Sequence, residues 1–305
     1  MDALLLVVAA LWGAVTGLLI PRAAYRFAVE PEEPWRTACP AGHPLNGPVR
    51  GWLGPPRCAP CAEPGARAPG GPVAEAPVRP EEAVVPTEAT PEADPAGADP
   101  DAARETTPKA TPGAARETTP EAVPPVYAPR LLAPVVTAAV CVVLAAATGA
   151  RPELVVWLAL TPVAVLLAVV DRRVHRLPDP LTLPLAAAAV LLLGGAALLP
   201  GAAGSWTSGL LGGLALGGFY FLLFLINPNG MGFGDVKLAL ALGTALGWYG
   251  WAVLFVGGFA GFLFGAAYGL GLVLLRGAGR KTGIPFGPFM ITGTLTGLLL
   301  GALAA

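Results

Sequence analysis

The chain has 305 residues, 54% hydrophobic and 13% charged, with a formal net charge of −1. A soluble domain carries about 25% charged residues, so this composition excludes an ordinary soluble globule, and the near-zero balance gives no footing for a nucleic-acid partner. Four cysteines in a chain of this length also exclude a secreted disulfide scaffold.

The first apolar run is Ala3 to Ile20. No basic residue precedes it, and Arg22 and Arg26 follow it. Those flanks predict an uncleaved anchor with its N-terminus outside, in preference to a signal peptide. Residues 22–61 follow as a small polar module holding Cys39, His43, Cys58 and Cys61. Three thiols and an imidazole in one short stretch read as metal spacing. They suit a closed, tetrahedral structural zinc site, the alternative being a metal-free loop. A cytosolic, reduced module disfavours disulfides.

Residues 62–129 read as a disordered Pro/Ala/Glu/Thr-rich linker. Fourteen prolines fall between Ala62 and Ala128, with twelve acids against five bases. Prolines at that density break helix and sheet, and such a polar composition buries no core. The stretch Arg104 to Pro108 recurs at Arg116 to Pro120, two copies being too few for a solenoid.

From residue 130 to 305 the sequence predicts a seven-helix membrane domain. The expected spans are Leu131–Gly149, Leu154–Val170, Leu181–Leu199, Ser208–Ile226, Asp235–Trp248, Trp251–Leu275 and Phe286–Leu303, near the ~20 residues a bilayer crossing needs. Trp248, Tyr249, Gly250 and Trp251 interrupt the longest run, and aromatics of this kind sit at the water interface. With residues 1–21 as the first helix, the fold class is all-α: a polytopic membrane protein of about eight transmembrane helices, a small cytosolic Cys/His module and a disordered linker. Eight spans put every basic residue except Arg151 inside or at an inner helix end, as the positive-inside rule requires. Glycines recur every fourth residue at 209, 213 and 217, at 257, 261, 265 and 269, and at 293, 297 and 301. Each series predicts a helix face for close packing.

Only four acids lie between Leu131 and Ala305: Glu153, Asp171, Asp179 and Asp235. An aspartate at the centre of a membrane helix costs about 2.5–3.5 kcal/mol on insertion scales. Asp171 closes one apolar run and Asp235 opens another, both at the predicted inner face. Two carboxyls meeting at one depth share a proton, so that one activates water while the other polarises a peptide carbonyl. The alternative is a hydrated pair of interfacial acids matched by Arg172, Arg173 or Lys237. Gly232 and Gly234, two residues apart just before Asp235, allow an extended substrate strand to approach the backbone.

Three motifs resemble those of the bacterial type IV prepilin peptidases, a family of intramembrane aspartyl proteases with a Gly-x-Gly-Asp signature. Met231 to Leu238 (MGFGDVKL) looks like that signature with its following Lys and Leu. Asp171 to Asp179 (DRRVHRLPD) resembles the family's aspartate followed by a basic loop ending in Pro-Asp. Ile284 to Phe289 (IPFGPF) is similar to the segment opening its last helix, and Gly17 to Phe27 to the exit of its first span. The resemblance covers the chain up to Cys61 and from about Leu131 onwards.

It implies that Asp171 and Asp235 are the catalytic pair. Gly232, Gly234, Lys237 and Asp179 are then the expected substrate-binding residues. The implied reaction is cleavage of leader peptides from prepilins or pseudopilins at the cytoplasmic face of the bacterial inner membrane, with membrane lipid as surroundings. Many members also N-methylate the new N-terminus with S-adenosylmethionine, an activity associated with two C-x-x-C pairs. Here Cys58 to Cys61 keeps the second pair, while Gly42 stands where the first needs a cysteine and His43 follows it. S-adenosylmethionine is therefore implied only if the methyltransferase is retained, and no methyl-donor site is readable. A proton-coupled transporter using Asp171 and Asp235, or a non-catalytic assembly scaffold, is the competing expectation.

Overall fold

The computed structural model describes residues 3–30, 32–55, 58–62, 131–228, 230–276 and 284–305. The predicted linker, apart from Ala62, and the basic residues Arg280 and Lys281 lie outside them.

The described residues are helical, with no strand beyond one isolated bridge between Ala38 and Pro44. Helices α1 (Ala3–Gly17) and α2 (Ile20–Phe27) form one apolar 25-residue stretch. Pro21 sits in the first turn of α2, where its missing N–H breaks no helical hydrogen bond. The short turns α3 (Pro48–Gly51) and α4 (Ala59–Ala62) belong to the Cys/His module. The bundle continues with α5 (Leu132–Thr148), α6 (Glu153–Val174), α7 (Asp179–Ala197), α8 (Trp206–Ile226), α9 (Phe233–Trp248), α10 (Trp251–Arg276) and α11 (Gly287–Ala304).

These helices correspond to the eight expected spans. Six stretches are long and apolar enough to cross a membrane: Ala3–Phe27, Glu153–Val174, Asp179–Ala197, Trp206–Ile226, Trp251–Leu275 and Gly287–Ala304. The other two, α5 with 17 residues and α9 with 16, are shorter. For α9 the reason is position. It packs against α7, α8, α10 and α11 and buries most of its residues. A helix surrounded by protein does not have to match the ~30 Å apolar thickness of a bilayer.

The glycine series make these contacts possible. A Cβ at Gly209 would lie 3.0 Å from the Thr244 carbonyl oxygen, and one at Gly213 3.0 Å from that of Leu240. The α10–α11 seam is built alike, with Gly293 against Gly257 and Gly261. Backbone-to-backbone approach of this kind drives helix association where water supplies no hydrophobic force.

Several helix boundaries differ from the expected spans, and two of the shifts bear on the acids. Helix α6 continues past Val170 to Val174, and α9 starts at Phe233. Asp171 and Asp235 therefore sit within the last turn of one helix and the first turn of another. Arg22 and Arg26, expected as the basic inner flank of the first span, are buried and hold the module to α2. Arg22 donates to the Asn46 carbonyl at 2.6 Å. Arg26 donates to the carbonyls of Arg36 and Arg50 and stacks 4.0 Å from the centre of the Trp52 ring.

Candidate functional site

Helix α6 is capped by His175, whose left-handed backbone (φ 50°) turns the chain while its N–H donates to the Asp171 carbonyl oxygen at 2.8 Å. Leu177 is then buried, and the extended Pro178 starts α7 with Asp179 in its first turn. That is where a carboxylate complements the positive end of the helix dipole. On the other side, Gly232 is extended and its carbonyl accepts from the Asp235 N–H at 3.0 Å, which starts α9.

Gly234 joins the two segments. A Cβ there would meet the Leu177 Cβ at 2.8 Å and the Leu177 oxygen at 3.2 Å. Only a glycine lets the start of α9 lie this close to the loop after Asp171. Gly232 is different, since a Cβ there would reach Asp235 Oδ2 at an unstrained 3.4 Å. Its missing side chain leaves open the space beside the carboxyl.

The result is a cavity of about 330 Å³ lined by both motifs. All six expected residues, Asp171, Asp179, Gly232, Gly234, Asp235 and Lys237, line it, together with His175 and Leu177. Asp171 is 4% exposed and Asp235 9%, against 58% for the Asp179 side chain. Lys237 pairs with Asp179 at 2.6 Å and lies over the Phe233 ring.

One partner escaped the sequence reading. The Gly287 N–H at the start of α11 donates to Asp171 Oδ2 at 2.9 Å. A Cβ at Gly287 would stand 2.9 Å from that same oxygen. The signal was present in the segment Ile284 to Phe289, but nothing in it showed which side chain its glycine would meet.

The second cluster is in the module. Cys39 donates its N–H to the His43 carbonyl at 2.8 Å, and Gly42, at φ 84°, donates to that of Cys39 at 2.9 Å. Glycine at 42 thus serves the turn that swings His43 inward. The ligand atoms of Cys39, His43, Cys58 and Cys61 lie within 4.8 Å of one another. His43 Nδ1 is 3.1 Å from Cys61 Sγ and 3.6 Å from Cys39 Sγ, and the two sulfurs are 3.7 Å apart. Tetrahedral zinc with Zn–S near 2.3 Å places its sulfurs roughly 3.7 Å apart, so the donor set fits.

Burial pushes the Cys39 thiol up, but hydrogen bonds from His43, Ala41 and Cys61 outweigh it and bring it down to about 7. Burial, with Cys39 and Cys58 beside it, pushes Cys61 up. Thiols sharing protons in this way release them to a cation. Cys141 is buried in α5, away from the cluster, and is a packing residue.

The model of the type IV leader peptidase family matches residues 158–270. This region contains Asp171, Asp179 and Gly232 to Lys237; it excludes Gly287 and the Cys/His module. The chain is 40% identical over 147 residues to a prepilin leader peptidase/N-methyltransferase of Aeromonas salmonicida, covering 47% of this chain and 48% of that protein. It is 37% identical over 175 residues to one from Aeromonas hydrophila, covering 56% and 57% respectively. For one from Bacillus subtilis the identity is 37% over 99 residues, 32% of this chain and 38% of that protein. The chain thus spans about half the length of the Aeromonas relatives it matches. No solved structure matches it.

Proposed function

On the premise that the leader peptidase family model matches residues 158–270 and that the chain is similar to proteins named prepilin leader peptidases, we propose that the chain is a membrane-embedded aspartyl endopeptidase. Its substrates are prepilin-like proteins, whose leader it removes at the cytoplasmic face of the bacterial inner membrane. The observation that carries this is the shared cavity: Asp171 and Asp235, from separate helices, line one space together with the residues flanking each of them.

The chemistry follows from that pairing. Two carboxyls in one buried site hold a single proton between them. The ionised member takes a proton from a water molecule, which attacks the scissile carbonyl, and the protonated member donates to the developing oxyanion. The Gly287 N–H fixes the orientation of the Asp171 carboxyl. The open face at Gly232 admits the substrate backbone beside Asp235. The Lys237–Asp179 pair stands at the exposed rim, where it contacts the polar leader.

In the module, Cys39, His43, Cys58 and Cys61 are the four ligands of a structural zinc. A closed set leaves no position for catalytic water, so the metal's part is to hold the loop that Arg22 and Arg26 attach to α2. The relatives' names include an N-methyltransferase. S-adenosylmethionine enters this reading only if that second activity is retained. Residues 1–21, 22–61, 62–129 and 130–305 remain the proposed division of the chain. The test is co-expression with a panel of prepilins and pseudopilins, read by gel shift. Loss of the leader is expected with at least one, and no cleavage across a panel that a known peptidase processes in parallel would refute the proposal.

A further inference from the structure

Glu153 is an acid for which the proposed chemistry has no use. It lies in the first turn of α6 and is fully buried at 0% exposure. Burying a carboxyl is costly unless hydrogen bonds compensate it, so its partners decide what it does. Its Oε1 accepts from the Tyr249 hydroxyl and from the Ala203 N–H, both at 3.4 Å. Trp157, one turn further along α6, donates its indole N–H to the same Tyr249 oxygen at 3.3 Å. Tyr249 directly follows α9, and the Ala203 loop is also tied there, through the Ser205 N–H on the Trp248 carbonyl.

These bonds join two particular helices. Helix α6 carries Glu153 at one end and Asp171 near the other, roughly 27 Å away at ~1.5 Å per residue. Helix α9 carries Asp235 at its start and ends at Tyr249, roughly 21 Å away. Among the described residues α6 and α9 do not pack backbone to backbone, and both rest on α7 and α11. Leu160 and Ala164 of α6, with Ala241 and Ala245 of α9, help to line an apolar cavity of about 550 Å³. Val156 and Trp157 of α6 also share a buried apolar cluster with Ala245 and Trp248 of α9, and to that non-directional packing the hydrogen bonds add a directional constraint.

We infer that Glu153 and Tyr249 form a latch at the end of the bundle opposite the aspartates, which sets the tilt of α6 against α9 and so positions Asp171 relative to Asp235. The inference rests on the peptidase reading for its functional consequence, though not for its geometry. Glu153 and Tyr249 are positioning residues and touch no substrate. The latch needs an acceptor oxygen at 153 and a hydroxyl at 249, and it needs no negative charge.

The test uses the full chain in lipid nanodiscs with Phe233, which lines the aspartate cavity, replaced by 4-fluorophenylalanine. Leader-cleavage kinetics, thermal stability and the fluorine resonance are measured together. Tyr249→Phe, which removes one hydroxyl, is expected to lower kcat about tenfold through misalignment. KM should change less than about twofold, and the fluorine resonance should shift or split. Glu153→Leu should do the same, and Glu153→Gln, which keeps the acceptor, should restore both. If Glu153→Leu does not fold, Tyr249→Phe and Glu153→Gln decide alone. A lower Tm in Tyr249→Phe with kcat and resonance both unchanged overturns the latch and leaves a merely stabilising contact. A shifted resonance in a chain whose unsubstituted form cuts no prepilin supports the latch and removes the peptidase reading.

Discussion

The Cys/His cluster and the aspartate cavity both gather polar side chains from separated parts of the chain, yet they end in opposite arrangements. In the module, four donors close on one another within 4.8 Å, with Cys39 and Cys58 buried. In the bundle, two carboxyls face an open space of about 330 Å³. Closure suits holding a loop, and an open pair of acids suits acting on something that enters. The difference lies in local backbone. Gly42 tightens a turn that brings His43 back toward Cys39, whereas Gly234 lets the start of α9 approach the Leu177 loop and Gly232 leaves space beside Asp235.

That contrast breaks most readily at the acids. Asp171→Asn and Asp235→Asn should each lower leader cleavage by more than about 10³-fold, the scale for removing a member of a catalytic unit, while the chain still inserts into membranes. Cleavage rates on purified protein check this.

Gly287→Val should come next. Its Cβ alone would stand 2.9 Å from Asp171 Oδ2, so the carboxyl must turn away. A misplacement of about 1 Å costs on the order of 10²-fold, and initial rates for Gly287→Ala and Gly287→Val should fall in that order. Equal rates for all three residues at 287 would show that Asp171 does not depend on this contact.

The module should matter much less to cleavage. Cys58→Ser should lower bound zinc from about one per chain, and His43→Ala should weaken binding by leaving one position to water. Metal analysis reads the first effect and competition with a chelator the second. Cleavage should survive either change better than it survives loss of an aspartate. Smallest of all is the rim: Asp179→Asn removes a partly exposed ion pair worth about 0–1 kcal/mol. A KM change below about fivefold with kcat intact is expected, and a large kcat loss would move Asp179 into the chemistry.

Much of the aspartate cavity was legible in the sequence, because its glycines and acids occur in short motifs whose residues stay together when the chain folds. The eight helical segments were legible as apolar runs. What escaped depends on packing between distant elements. The Gly287 contact with Asp171 requires the start of α11 to meet the end of α6, and no local pattern at Ile284 to Phe289 specifies that partner. Arg22 and Arg26 read only as the basic flank of the first span, because the carbonyls that receive them lie in a module whose path periodicity does not describe. Glu153 was visible as a rare acid, but its link to Tyr249 spans 96 residues of sequence. The central place of α9 was likewise hidden, the glycine series of α8 showing that something packs closely there without saying that it is α9.

The central claim is that Asp171 and Asp235 act as one catalytic unit, and the most direct measurement is the residual cleavage rate of the double variant beside each single one. The chains would be purified in the same nanodiscs and tested on one prepilin at saturating concentration, with bound zinc measured in each. The account predicts that Asp171→Asn, Asp235→Asn and the double variant all fall to the same low rate with zinc unchanged, because losing either carboxyl already disables the pair. Substantial cleavage by either single variant, or cleavage that follows zinc content while tolerating Asp235→Asn, would contradict it.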